Sequence, residues 1–159
     1  MDPERRYYFT VVGYNYRLTN VACAILCAQL ERSHEILAWR RSLFSAYRVA
    51  LDGVPGITFQ PVASWANPAP WLFSIVINED EYGRSRDELI DILEQRAVET
   101  RPFFRPLHRL PPFVGRPGAS TPLPVTERLA ASGMNLPTGF GLTPADIARV
   151  TDVIRGAAR

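Results

Sequence analysis

A helical pattern of about thirty residues limits the possible folds of this chain more than any other feature. Thr19 or Asn20 is a suitable N-cap for this helix, and Gly53 and Pro55 end the pattern. A helix of this length would measure about 48 Å, which is longer than one small core needs. We therefore expect a helix over residues 19–52 that crosses between domains or lies on a partner. Apolar residues recur along one face: Val21, Ala24, Ile25, Ala28, Ile36, Leu37, Leu43, Phe44, Tyr47 and Leu51.

The residues after this helix alternate between strand and helix patterns. A capping box from Ser85 to Glu88 begins one helix, and a shorter helix begins at Thr121 and Pro122. Thr143 caps the last helix. The strand patterns cover residues 57–62, 71–78, 98–103 and 134–136, and the last helix carries Ile147, Val150 and Ile154 at helical spacing. The order predicts an α/β fold over residues 53–159, with a small antiparallel or mixed sheet and flanking helices.

Prolines dominate the segment between residues 102 and 124. Proline at this density excludes helix and favours an extended, stiff path, as in a surface linker. Large apolar side chains are interleaved with the prolines, at Phe103, Phe104, Leu107 and Phe113. They indicate that this segment packs against another surface. Upstream of this segment, Trp71 and Phe73 are expected to fill the core.

Charge and cysteine content exclude several classes of function. The 18 basic residues nearly balance the 16 acidic ones and are dispersed, which disfavours a nucleic-acid partner. All 18 are arginine, so no side chain offers the primary amine that a carbonyl cofactor needs for a covalent link. Cys23 and Cys27 are predicted to be small buried residues on one helix face, because a disulfide framework or zinc site needs more ligands. We expect no metal site.

The start of the chain is charged, and its longest apolar run, residues 21–28, is too short to span a bilayer. No signal-peptide pattern is present. The sequence therefore predicts a cytoplasmic protein without a membrane partner.

Three segments together resemble one enzyme family. They are RYYFTVVGYNYRLTNVACAILCAQLE at residues 6–31, ETRPFFRPLH at residues 99–108 and GMNLPTGFGLTPADIARVTDVI at residues 133–154. In order and spacing they resemble the C-terminal half of the DegT/DnrJ/EryC1/StrS aminotransferases, the sugar-nucleotide branch of the fold-type I pyridoxal-phosphate enzymes. The opening, MDPERRYYF, is most similar to perosamine synthase-type members.

The resemblance implies that residues 1–159 form a single small C-terminal domain, in which residues 1–18 contact the cofactor and the dimer partner. The large domain of the family, which carries the cofactor-binding lysine, is then expected upstream of Met1. Under this interpretation, Met1 is an internal methionine of a longer reading frame. The alternatives are a subunit of a split enzyme and a non-catalytic remnant.

The function implied by the resemblance is transfer of an amino group from an amino acid, expected to be glutamate, to a ketosugar nucleotide. The chain is expected to be inactive until a lysine-bearing large domain completes the pyridoxal 5'-phosphate site. Its implied partners are that missing domain, or an intact homologous subunit, and a sugar nucleotide. As a remnant it would instead bind a sugar nucleotide, or pair with an intact homologue.

The resemblance also implies site residues, none of them catalytic. Asn15 and Arg17 match residues that reach across the dimer interface toward the cofactor phosphate, and their amide and guanidinium groups suit a phosphate. The alternative is that both merely satisfy backbone groups in an irregular segment. His108 and Arg101 are candidates for binding the substrate. His108 is equally compatible with an ordinary hydrogen-bonded residue, and Arg101 with simple pairing to Glu99.

Overall fold

The computed structural model describes residues 14–118 and 120–159. Contacts between residues divide the chain into two compact units, with the boundary between Ile36 and Leu37. We describe each unit by itself, and the single domain expected from the sequence stays a prediction. No helix among the described residues is both long enough and apolar enough to cross a membrane.

Two consecutive helices stand where the sequence predicts one. Helix α1 spans Asn20–Glu31 and helix α2 spans Ser33–Leu51. The Thr19 side chain caps α1 by accepting a hydrogen bond from the backbone N–H of Ala22. Arg32 interrupts the helical pattern, with φ of −100° and ψ of 9°. The prediction of one continuous helix is therefore wrong at Arg32, although the start and the end of the helical region are as expected.

The second unit contains a four-stranded antiparallel sheet. Strands β1 (Ile57–Phe59), β2 (Phe73–Ile77), β3 (Arg101–Pro102) and β4 (Gly133–Leu136) lie in the order β1-β2-β4-β3. The sequence left open an antiparallel or a mixed sheet, and every pair is antiparallel. Pro102 is tolerated because β3 is an edge strand, where a missing N–H breaks no central pairing.

Among the described residues, three further helices and one 3-10 turn lie between the strands, and a last helix follows β4. Helices α3 and α4 span Glu79–Tyr82 and Arg86–Gln95, the 3-10 turn spans Leu107–Arg109, and helices α5 and α6 span Pro124–Ser132 and Pro144–Ala157. The capping boxes at the starts of α4 and α6 are present, because each depends on residues only three apart. Helix α5 begins at Pro124, a little later than predicted.

One hydrophobic core joins α2, α4 and α6 to one face of the sheet. Alternate residues of β2 point into the core, because side chains of a strand alternate between its two faces. The buried side chains include Leu43, Tyr47 and Leu51 of α2, Phe73, Ile75 and Ile77 of β2, Leu89 and Leu93 of α4, Met134 and Leu136 of β4, and Ile147, Val150 and Ile154 of α6. Burial of each large apolar side chain contributes about 1.5–3 kcal/mol.

Two expectations about burial are wrong. Trp71 is 67% exposed, because the chain joins the sheet only at Phe73, which is buried as predicted. Cys27 is exposed and Cys23 is partly exposed, since no residue of α1 is buried within the described chain. In the proline-rich segment, Phe103 is half-buried, whereas Phe104 is 88% exposed.

Candidate functional site

Asn15 and Arg17 lie in the irregular segment that leads into α1. Both residues are exposed, and the Oδ1 atom of Asn15 accepts a hydrogen bond from the Arg17 backbone N–H at 3.1 Å. This contact fixes the carbonyl side of the amide, so that the side-chain NH2 group is the part of Asn15 able to donate. The rings of Tyr14 and Tyr16 stack beside them, with centroids 5.9 Å apart. Donors of this kind suit an anion such as a phosphate.

Arg101 lies on edge strand β3 and pairs with Glu99, with 2.9 Å between the guanidinium nitrogen and the carboxylate oxygen. Both side chains are 79% exposed, so this pair contributes little to stability. Arg101 also lines an open groove of about 950 Å³ together with Trp71, Phe104 and Arg149. The structure therefore shows the pairing with Glu99, and it also places Arg101 at a concave surface large enough for a ligand.

His108 lies in the 3-10 turn and contacts the first turn of α5. Its Nε2 atom is 2.9 Å from Oε1 of Glu127, and the same oxygen accepts a hydrogen bond from the Arg109 guanidinium at 2.9 Å. The His108 side chain is only 10% exposed. Hydrogen bonds from His108 and then from Arg109 lower the pKa of the Glu127 carboxyl below its ordinary value.

The four predicted site residues are divided between the two units. Asn15 and Arg17 belong to the first unit, and Arg101 and His108 belong to the second. Within the second unit, Arg101 pairs with Glu99, whereas His108 pairs with a residue on α5. The contact with Glu127 is not predictable from the sequence, because a separation of 19 residues across a proline-rich loop leaves no periodic signal.

The face of the sheet opposite the core forms a second open cleft of about 950 Å³. Ser74 donates a hydrogen bond to Oδ1 of Asn135 across β2 and β4 at 2.8 Å. Arg86, whose side chain is 11% exposed, donates to the carbonyls of Ala130 and Gly133 and pairs with Asp87. These bonds tie α4 to α5, so Arg86 is a structural residue in this cleft. Within residues 14–118 and 120–159, no three His, Cys, Asp or Glu side chains are grouped to hold a metal.

The arrangement of an antiparallel sheet, flanking helices and a preceding helical segment is found in known enzymes. The chain superposes on DesV of S. venezuelae, solved in complex with a ketimine intermediate, with a TM-score of 0.82 and 29% identity; the match covers 98% of this chain and 41% of DesV. This is the fold of the small C-terminal domain of a fold-type I pyridoxal phosphate-dependent aminotransferase, as expected from the sequence.

The particular family follows from the sequence match. The chain belongs to the DegT/DnrJ/EryC1/StrS aminotransferase family, whose model matches residues 1–155. It is 40% identical over 151 residues to the GDP-perosamine synthase of Caulobacter vibrioides, a match that covers 94% of this chain and 40% of that protein. It is 34% identical to DesI, solved in the presence of its TDP-sugar product, with a TM-score of 0.76, covering 84% of this chain and 34% of DesI.

The chain thus spans about two-fifths of the length of the curated relative it matches. The side chains present fit the phosphate end of pyridoxal phosphate, since Asn15 and Arg17 are exposed donors on one short segment. They do not fit its carbonyl end, because the chain contains no lysine.

Proposed function

We propose that this chain is the C-terminal portion of a transaminase that moves an amino group from an amino acid, with glutamate as the expected donor, to a ketosugar nucleotide. The observation that carries the proposal is the family match over residues 1–155, together with relatives named for sugar nucleotides. The chain is inactive alone and works in the cytoplasm with a lysine-bearing large domain, either on the same polypeptide or on a partner.

Pyridoxal phosphate, when bound to the completed enzyme, supplies the electron sink for amino transfer. The residues of this chain bind and orient. The Asn15 amide donates to the cofactor phosphate across a dimer interface, and the Arg17 guanidinium adds a charged, planar donor to the same anion. These contacts are non-covalent. Arg101 binds a phosphate of the sugar nucleotide, and His108 contacts the sugar.

A reconstitution experiment tests this function. The purified chain is mixed with the part of the Caulobacter relative that the chain does not cover, and with pyridoxal phosphate, glutamate and a GDP-linked ketohexose. We expect the mixture to form an amino sugar and the chain alone to form none. Turnover by the purified chain alone would refute the proposal, as would an inactive mixture in which both parts are folded and associated.

A variant of Asn15 tests the phosphate contact within the same mixture. Asn15→Asp replaces a donor by a negative charge, so we expect cofactor retention, measured by its visible absorbance after gel filtration, to fall at least about tenfold. Asn67→Asp makes the same substitution at an exposed loop position and serves as the matched control. Equal retention in the two variants would remove Asn15 from the cofactor site.

A second candidate is a non-catalytic module that pairs with an intact homologue. The exposed apolar side chains of α1 favour it, because Val21, Ile25 and Leu30 are each at least 60% exposed. A module of this kind would bind an intact family member without pyridoxal phosphate and would not restore activity to an isolated large domain.

A further inference from the structure

Both side chains of the His108–Glu127 pair are withdrawn from solvent, whereas in the Arg86–Asp87 pair only Arg86 is, at 11% exposed against 78% for Asp87. The His108 side chain is 10% exposed and Glu127 is 34% exposed, whereas Arg101 and Glu99 are both 79% exposed. Arg32 and Glu35, at 53% and 61%, are also largely solvated. A pair withdrawn from solvent is screened less by water, so its geometry constrains its members more strongly than an exposed pair does.

Two features hold the Glu127 carboxylate in place. Arg109 donates to the same oxygen that His108 contacts, which fixes that oxygen from a second direction. Glu127 also lies in the first turn of α5, where the positive end of the helix dipole favours a carboxylate. Hydrogen bonds from His108 and then from Arg109 lower the pKa of the Glu127 carboxyl below its ordinary value, so the group is ionised at neutral pH.

An ionised carboxylate has no hydrogen to donate, so the hydrogen between the two groups belongs to Nε2 of His108. In the neutral ring, the other nitrogen is then unprotonated and can only accept. The contact with Glu127 therefore determines both the direction in which the ring is held and the chemical character of Nδ1.

We propose that Glu127 is a positioning residue that holds neutral His108 in the Nε2–H tautomer, so that Nδ1 accepts a hydrogen bond from a hydroxyl group of the sugar. The identity of the donor rests on the function proposed above, whereas the positioning by Glu127 does not. His108 is the residue that touches the substrate, and Glu127 acts through it.

Nuclear magnetic resonance of the 159-residue chain tests the positioning directly. The chain has two histidines, so ring 15N signals are assigned with His108→Gln, and the exposed His34 on α2 is an internal reference. A series of spectra at increasing pH isolates the signals of the neutral ring, in which we expect His108 to show a protonated Nε2, an unprotonated Nδ1 and a protected Nε2–H proton. His34 should show averaged ring signals.

Variants at Glu127 separate its charge from the shape of its side chain. Glu127→Gln can donate as well as accept, so it no longer imposes a tautomer, and Glu127→Ala removes the partner altogether. We expect loss of the protected Nε2–H signal in the alanine variant, and movement of the His108 ring shifts toward those of His34 in both. Glu94→Gln, an exposed change on α4, is the matched control and should leave His108 unchanged. Unchanged His108 signals in both Glu127 variants would overturn the proposal.

Kinetics of the reconstituted enzyme then test the role of Nδ1. We expect Glu127→Gln to raise KM for the sugar nucleotide by roughly tenfold, the effect of one weakened hydrogen bond, and to leave the half-reaction with glutamate unchanged. A tautomer change without a change in KM would keep Glu127 as a positioning residue and would remove His108 from the substrate site. If reconstitution itself fails, the proposed function falls while the spectroscopic result still decides the role of Glu127.

Discussion

The close approach of Phe103 to the sheet depends on a single glycine. Gly133 is buried at the start of β4, and a Cβ atom at this position would overlap the Phe103 ring and would lie 2.7 Å from the Leu129 carbonyl oxygen. The Phe103 backbone N–H donates to the Gly133 carbonyl at 3.0 Å, so the strand cannot shift away without losing this bond. Glycine is therefore required here by the lack of space for a side chain.

The variant Gly133→Ala should lower the free energy of unfolding by about 1–3 kcal/mol, which is typical of overpacking in a rigid environment. Urea denaturation followed by circular dichroism measures the change. Gly139→Ala is the matched control, because a Cβ atom there meets nothing within 4 Å. Equal stability of the two variants would show that Phe103 moves aside freely.

Tyr82 links α3 to the last helix, and its ionisation makes the stability of the protein depend on pH in the alkaline range. Its side chain is fully buried, and its hydroxyl donates to the Ile154 carbonyl at 2.5 Å. Burial raises the pKa of Tyr82 to about 12, an effect that the nearby Arg84 partly opposes. Since the pKa is higher in the folded state, the contribution of Tyr82 is complete below pH 10 and is lost as the pH rises toward 12.

We expect Tyr82→Phe to cost about 1–2 kcal/mol at neutral pH, because the Ile154 carbonyl loses its buried partner. The loss of stability between pH 10 and 12 should become shallower than in the wild type. Denaturant titrations across this range give the slope. Tyr16→Phe, at a tyrosine that is 88% exposed, should retain the wild-type slope. An identical slope in Tyr82→Phe would contradict the assignment.

The capping boxes are the elements that the sequence predicts most closely. In α4, the Ser85 backbone N–H donates to Glu88 at 2.8 Å, and the Glu88 backbone N–H donates to the Ser85 hydroxyl at 3.2 Å. Hydrogen bonds from the Ser85 backbone and then its side chain lower the pKa of the Glu88 carboxyl. The stabilising effect is therefore present above the ordinary pKa of 4.5 and is lost as the pH falls through the lower folded value.

A pair of substitutions in α4 separates the cap from its charge. Ser85→Ala should destabilise the protein by about 1 kcal/mol at neutral pH, as for other N-caps. Glu88→Gln can still complete a capping box, so we expect a smaller loss at pH 7 and a weaker decrease of stability below pH 4.5. Glu94→Gln, exposed on the same helix, controls for the loss of a carboxylate. Acid titration curves that coincide for Glu88→Gln and the wild type would contradict this role.

The ends of the strands are predicted from the sequence less accurately than the helix caps are. The segment predicted over residues 98–103 contributes only Arg101–Pro102 to the sheet. Alternation places Trp71 on the core side together with Phe73, yet the Trp71 carbonyl accepts from the Arg40 guanidinium at 2.9 Å in an irregular segment before β2. The length of a strand depends on its pairing with neighbouring strands, and local patterns contain no information about those neighbours.

At the scale of the whole molecule, stability is expected to be unevenly distributed. No residue of α1 is buried among the described residues, whereas α6 buries Ile147, Val150 and Ile154. Because exchange of backbone amides with deuterium reports local opening, the amides of α1 should exchange at least about tenfold faster than those of β2 and α6. Mass spectrometry of peptides from the 159-residue chain measures this. Equal protection of α1 and α6 would mean that a surface of α1 is covered in solution.

The sequence by itself determined the features that depend on neighbouring residues: the caps of α1, α4 and α6, the limits of the helical region and the core face of the last helix. The absence of lysine was also decided at this level, and with it the need for a lysine from outside these 159 residues in the proposed chemistry. Family resemblance added the fold and the candidate residues Asn15, Arg17, Arg101 and His108.

Only the tertiary structure decided the strand order β1-β2-β4-β3, the exposure of Trp71 and the contact of His108 with Glu127. The strand order and the His108–Glu127 contact each join segments that are far apart in the sequence. The exposure of Trp71 depends on where a strand begins. Their pairing is selected by the total burial and hydrogen bonding of the folded chain, which no short stretch of residues encodes. The break at Arg32 was likewise not predicted, since neither glycine nor proline stands near this position to end a helix.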